Sequence, residues 1–315
     1  MSRIRARSGK KNAAFAAVLL YVASSAAYAG EVCFFSVDEM EKNPAGTRIA
    51  KVACEEHALW RKPFINAQGR IVRLGPMEAE RDELADGATA WRRVLWYWRE
   101  SGLLDANAKK ERERITEKGD EGRNGASDCA DETQDWGQKA ACRAFLIDVP
   151  WSAAFVSYTM KRAGITDFTM SSSHFFYLRA AARKPDVGPY RLTDPSIEKP
   201  EVGDLVCYVR EEDRVYGHAE FTRYLQGSGD KVDSHCDIVV AANLDSDSKL
   251  YAIGGNVIQG VTMRKLNLNA QGRLSLPMRR DGDAGRAFDP RNESTENMNR
   301  KDWVALLKLN RTRVR

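Results

Sequence analysis

Pro150-Trp151-Ser152-Ala153-Ala154-Phe155-Val156-Ser157-Tyr158 reads as the opening of a buried helix, with a proline ahead of the first turn and Gly164 as its stop. Phe155, Tyr158 and Ala163 fall on its inner face. Its first turn carries a hydroxyl, Ser152, directly after an aromatic, Trp151. Farther along, Ser234-His235-Cys236-Asp237-Ile238-Val239 reads as a strand headed by an imidazole, and Gly254-Gly255-Asn256-Val257 follows with a side-chain amide. Nucleophile, base and orienter therefore occur in that order, which suits nucleophilic catalysis if the fold gathers them.

A hydroxyl on the first turn of a helix lies near unpaired backbone N–H groups and the positive end of the helix dipole, both favourable to an oxyanion. Serine holds no reserve of anion at neutral pH, so Ser152 must pass its proton to a base within about 3 Å, for which His235 is the candidate. Asn256 can orient the ring but, being neutral, cannot stabilise imidazolium. Asp237, two residues beyond His235, shares its face of the strand and can supply that charge. Cys236 points the other way. Trp151 and His174 are supporting candidates, His174 as a second polar group of the cleft or as a helix cap. His57 and His218 read as surface. The plainer reading of Ser152 is a helix N-cap.

Around this centre the pattern is helices first and a mostly antiparallel sheet afterwards, an α+β arrangement. Residues 88–104 predict a helix whose aromatic face, Trp91, Leu95, Trp96, Trp98 and Leu103, reads as core rather than as a sugar-stacking platform. Residues 105–141 turn charged and read as a surface insertion, partly disordered or a solvated helix. A second helix is expected over 174–183, and strands over 203–209, 236–242, 249–253, 257–266 and 303–309. Residues 30–78 read as a loosely structured, disulfide-clipped extension. The main domain spans 79–310, with a loop at about 273–300 and a basic tail at 311–315.

The amino terminus sets the expected compartment. Arg3, Arg5, Arg7, Lys10 and Lys11 precede an apolar run from Ala13 to Ala27 and an Ala27-Tyr28-Ala29 cleavage pattern, so residues 1–29 read as a removed secretory signal. The run is shorter than the ~20 apolar residues of a membrane span. Taking those five uncompensated cations from 49 leaves 44 Lys and Arg against 44 Asp and Glu, so the exported chain is formally neutral. Its overall basicity gives no reason to expect nucleic acid. All six cysteines follow the signal, and an even number in an oxidising compartment favours disulfides. Nearest-neighbour pairing is expected: Cys33 with Cys54, Cys129 with Cys142, Cys207 with Cys236. No metal or other cofactor is expected, since zinc-type C-x-x-C and H-x-x-x-H spacings are missing.

The W-S-A-A-F-V helix start, the P-x-V-G-D-L-V strand, the S-H-C-D-I-V strand and the G-G-N-V turn resemble the bacterial domain of unknown function 2272 over roughly residues 85–270. That group is similar to the CHAP and NlpC-type peptidoglycan amidases, which share a papain-like fold. The resemblance implies Ser152 at a position those enzymes fill with cysteine, His235 as base and Asn256 as orienter. Many CHAP sequences carry a glutamate two residues before the asparagine; Gly254 stands there here. The expectation is a periplasmic or secreted papain-like hydrolase of amide or peptide bonds, with peptidoglycan or muropeptides as its partner and substrate. Two other classes fit the same residues: a non-catalytic cell-wall-binding or scaffolding module, and a secreted antibacterial effector.

Overall fold

The computed structural model describes residues 31–131, 135–280, 290–292 and 296–314; the expected signal at 1–29 and most of the 273–300 loop's centre lie outside them. The helices are α1 (Val37–Lys42), α2 (Pro44–Leu59), α3 (Ala90–Glu100), α4 (Leu103–Lys118), α5 (Ala126–Ala130), α6 (Trp136–Asp148), α7 (Ser152–Arg162), α8 (His174–Arg183) and α9 (Gly217–Gln226). The strands are β1 (Phe64–Ile65), β2 (Ile71–Arg73), β3 (Tyr190–Thr193), β4 (Leu205–Val209), β5 (Ser234–Ala242), β6 (Lys249–Val257), β7 (Gly260–Leu268), β8 (Leu274–Ser275) and β9 (Asp302–Leu309). They form one sheet in the order β2-β1-β7-β6-β5-β4-β9-β3, with β8 on β7. Every pairing is antiparallel except β1 with β7. The class is mixed α+β.

Period-two alternation gives this sheet two apolar faces. Cys207, Cys236, Ile238, Ile253 and Leu307 face the helices in the larger core, while Val206, Tyr208, Val239, Ala252 and Leu306 form a second cluster on the opposite face. Both faces are covered, so β4, the later half of β5 and most of β9 read as continuous apolar runs, which made them legible.

All three disulfides join the expected neighbours: Cys33–Cys54, Cys129–Cys142 and Cys207–Cys236. Cys207 and Cys236 are directly paired across β4 and β5, on the helix side of the sheet. No single helix among the described residues is long and apolar enough to cross a membrane.

Three expectations need correction. Residues 30–78 are not loosely structured. Asn43 caps α2 by accepting from the Gly46 N–H, Pro44 opens the helix, and Ile49, Ala50 and Ala53 enter the main core. The described residues of the charged stretch, 105–131 and 135–141, are largely helical, one of the two expected forms, but not merely solvated: Glu111, from the middle of the charge run, is fully buried with its carboxylate accepting the Gly125 N–H at 2.7 Å. The aromatic helix stops at Glu100, and its buried face is Ala90, Val94, Tyr97 and Trp98, which leaves Trp91 half-buried and Trp96 exposed.

Candidate active site

The start of α7 is held by aromatic packing. Trp151 is fully buried, with its ring 5.7 Å from both Trp60 and Tyr97. Trp60 donates its indole N–H to the Tyr97 hydroxyl at 2.9 Å, and Tyr97 and Tyr158 both donate to the buried Glu56 carboxylate, at 2.6 and 2.8 Å. Tyr158 is on α7 itself, so Glu56 of α2 ties that helix to α3. Each aromatic pair contributes roughly 0.5–1.5 kcal/mol beyond its burial. The helix start is thereby fixed against an amino-terminal segment that lies outside the family-like motifs.

Ser152 is the first residue of α7 and does not cap it; Trp151 is the cap residue, and no side chain accepts from the first turn. The first backbone bond runs from the Phe155 N–H to the Trp151 carbonyl at 2.9 Å, so the amides of Ser152, Ala153 and Ala154 precede the helix ladder. The Ser152 hydroxyl lies 2.7 Å from His174 Nε2. Nδ1 of that ring hydrogen-bonds the Tyr177 hydroxyl, one turn along α8. When Nδ1 carries the proton and donates to the phenol oxygen, Nε2 accepts from Ser152, which is the tautomer a base requires. His174 is held neutral: burial pushes its pKa well below the usual imidazole value, and the charges of His235 and Arg210 act in the same direction.

His235 is not the partner of Ser152. Its Nε2 lies 2.8 Å from Asp237 Oδ1, and Asp237 Oδ2 accepts from Arg264 Nε at 3.1 Å. Arg264 continues to the Met298 carbonyl at 2.9 Å and Asn299 Oδ1 at 2.8 Å. Burial pushes the Asp237 carboxyl up, but the His235 and Arg264 charges and hydrogen bonds outweigh it and leave its pKa below the ordinary value. Asp237 on β5 and Arg264 on β7 meet across the intervening β6 because the β6 residues beneath them are small. Ala252 pairs with Arg264, and a Cβ on Gly254 would overlap the Asp237 carboxylate and lie 2.9 Å from His235 Nε2.

The rings of His174 and His235 are 5.1 Å apart, so two hydrogen-bonded series stand side by side: Ser152, His174, Tyr177 and His235, Asp237, Arg264. The site is closed. Ser152 is 4 % exposed, His174 3 %, His235 2 % and Asp237 1 %. A cavity of about 710 Å3 beside the Cys33–Cys54 disulfide borders none of them.

Asn256 joins neither series. It is half-buried in an irregular step of the β6–β7 pairing, with φ +56°. Asparagine is among the few non-glycine residues that tolerate the left-handed region, so this amide has a backbone reason to be there. His57 and His218 are not surface groups. His57 is buried with Nε2 2.9 Å from the Pro63 carbonyl, and half-buried His218 places Nδ1 2.7 Å from the Val304 carbonyl. Sequence reasoning missed Tyr177 and Arg264. A histidine and a tyrosine three residues apart on a helix were a readable sign of the first; nothing local marked Arg264. Among the described residues no cluster of three or more His, Cys, Asp or Glu is arranged to hold a metal ion.

No curated protein and no solved structure matches this chain. A family model does match, over residues 85–309, which takes in α3 to β9 and both hydrogen-bonded series while leaving α1, α2, β1 and β2 outside. With most of its length covered, the chain belongs to the family described as uncharacterized protein conserved in bacteria (DUF2272).

Proposed function

We propose that this chain is an acyl-transferring hydrolase of amide or peptide bonds in which Ser152 is the nucleophile and His174 the base. The observation that carries the reading is the 2.7 Å contact between Ser152 Oγ and His174 Nε2, made by a serine at a helix start that does not cap its helix. Ser152 Oγ attacks the carbonyl carbon as its proton moves to His174 Nε2. The carbonyl oxygen becomes an oxyanion beside the unpaired amides of the first turn of α7. The C–N bond then breaks, the amine leaves with the proton from His174, and water hydrolyses the acyl-serine with His174 again taking the proton. Tyr177 orients His174. His235 is the second acid–base group; Asp237 engages its Nε2 and leaves Nδ1 for proton transfer.

The papain-like fold and the peptidoglycan substrate come from the resemblance of the motifs to CHAP and NlpC-type enzymes. Gly254 stands where many of those sequences carry a glutamate. In this chain the carboxylate comes from the neighbouring strand, as Asp237, and fills the space a side chain at Gly254 would take. Three disulfides fit an exported protein.

The near-complete burial of Ser152, His174 and His235 favours a second reading, a cell-wall-binding module whose polar network only shapes the core. Digestion of purified sacculi separates the two. The hydrolase releases soluble muropeptides, and Ser152→Ala and His174→Ala abolish release while keeping the wild-type melting temperature within a few degrees. Wild-type protein that sediments with sacculi yet releases no fragment would establish the binding module instead.

A further inference from the structure

Two cavities of about 660 and 490 Å3 share Trp91, Arg92 and Lys139 along the outer side of α3 and α6, so they adjoin as one trough. Each is within the roughly 300–1,000 Å3 of small-molecule sites. Trp96 lines it at 46 % exposure and Trp136 at 86 %. Trp136 is not on a frayed end. It is the first residue of α6, behind a capping box in which Asp135 accepts from the Gln138 N–H and Gln138 returns the bond.

The charge of the trough is one-sided. Among the described residues, Arg81, Arg92, Arg99, Lys139 and Arg143 line it with one acid, Asp131, which is already paired with Arg112 at 3.1 Å. Arg92 sits over the Trp91 ring at 5.4 Å. Arg99 and Arg143 are each anchored by one nitrogen to a backbone carbonyl, Cys129 at 2.9 Å and Ala79 at 2.7 Å, which fixes the forks with donors to spare.

We propose that this trough binds an anionic polysaccharide strand, its sugar rings stacked on Trp91, Trp96 and Trp136 and its carboxylates held by the guanidinium and ammonium groups. Flat indoles present apolar faces that match the C–H faces of pyranose rings, and the arginine forks match carboxylates. Two adjoining cavities, each within the size of a small-molecule site, fit successive units of a polymer. Nucleic acid would share the stacking and the anionic charge, but outside residues 1–29 the chain is formally neutral, without the domain-wide basic excess of nucleic-acid binders. A membrane surface would call for a continuous apolar face on one helix, whereas here the indoles are interspersed with Arg81, Arg92, Arg99, Lys139 and Arg143. None of the groups around Ser152 lines this trough, so the inference stands apart from the hydrolase reading.

Affinity electrophoresis of the full chain carrying Ser152→Ala tests it without any turnover. Polygalacturonate in the gel retards the protein and neutral dextran does not, and added salt weakens the retardation. Trp136→Ala and Lys139→Glu each weaken binding about tenfold, as expected for anchor residues. Near-UV circular dichroism checks that each variant is folded, and Trp96→Ala replaces any that is not. The proposal is overturned if polygalacturonate causes no retardation, if folded variants bind like the parent, or if phosphatidylglycerol vesicles or oligo-deoxythymidine bind more tightly.

Discussion

Replacing Gly254 with alanine adds a single methyl group at a point of the sheet with no space for it. That methyl would overlap the Asp237 carboxylate oxygen, lie 2.9 Å from His235 Nε2 and lie 3.0 Å from a Val257 methyl. Asp237 is 1 % exposed and cannot retreat without releasing His235 at 2.8 Å or Arg264 at 3.1 Å. Arg264 would then be a buried cation without its counter-ion. Breaking such a pair costs about 3–5 kcal/mol. With a urea slope of about 3 kcal/mol/M, near the upper end for small proteins, the unfolding midpoint falls by ~1–2 M. The cause is checked by a double-mutant cycle: in an Asp237→Ala background the overlap with the carboxylate is gone and His235, no longer held by Asp237, can give way at its 2.9 Å contact, so the cost of the methyl drops to under ~1 kcal/mol. A Gly254→Ala protein with an unchanged midpoint would refute the packing argument. A full penalty that persists in the Asp237→Ala background would refute the assignment to the ion pair.

Stability also depends on pH through buried imidazoles. The pKa of His57 is pushed down to about 4, by burial first, against the Pro63 carbonyl that raises it. The unfolded imidazole titrates near 6.5, so below that pH the unfolded chain binds the extra proton and stability falls as pH falls toward 4, by about 3 kcal/mol from His57 alone. His174 acts in the same direction. Urea midpoints between pH 7 and pH 4.5 therefore decline less steeply in His57→Gln than in the wild type, and parallel slopes would contradict this account. Replacing Cys129 and Cys142 with serine opens a 13-residue loop and lowers stability by roughly 3 kcal/mol, read by the same titration. An unchanged midpoint would mean that α5 and α6 are held by packing alone.

The elements that were legible from sequence are those whose apolar pattern is undiluted. Helices α7 and α8, the central strands and the three disulfides were expected where they lie. Helix α2 was missed because its inner face carries Glu56 and His57 beside Ile49, Ala50 and Ala53, and those polar groups pack inward only once Tyr97, Tyr158 and the Pro63 carbonyl are in place. The Asn43-Pro44 pair was the one local sign of it. For the site, chain order pointed to Ser152, His235 and Asn256, but order says nothing of which imidazole reaches the hydroxyl. His174, 22 residues after Ser152, reaches it from a neighbouring helix. Asn256 has the residue type of an orienter, but its left-handed backbone conformation is what calls for asparagine. The coupling of Asp237 to Arg264 depends on a glycine between their strands, a three-strand relation that no local pattern carries.

The proposed activation of Ser152 as a nucleophile by His174 is tested most directly by a fluorophosphonate probe. Ser152 Oγ would form the bond to phosphorus, fluoride would leave, and the hydroxyl proton would pass to His174. Mass analysis of the digested protein is expected to find the phosphonyl group on the peptide containing Ser152, with labelling lost in His174→Ala and retained in Trp136→Ala. Folded wild-type protein without that adduct, or with an adduct that forms equally fast in His174→Ala, would contradict the claim.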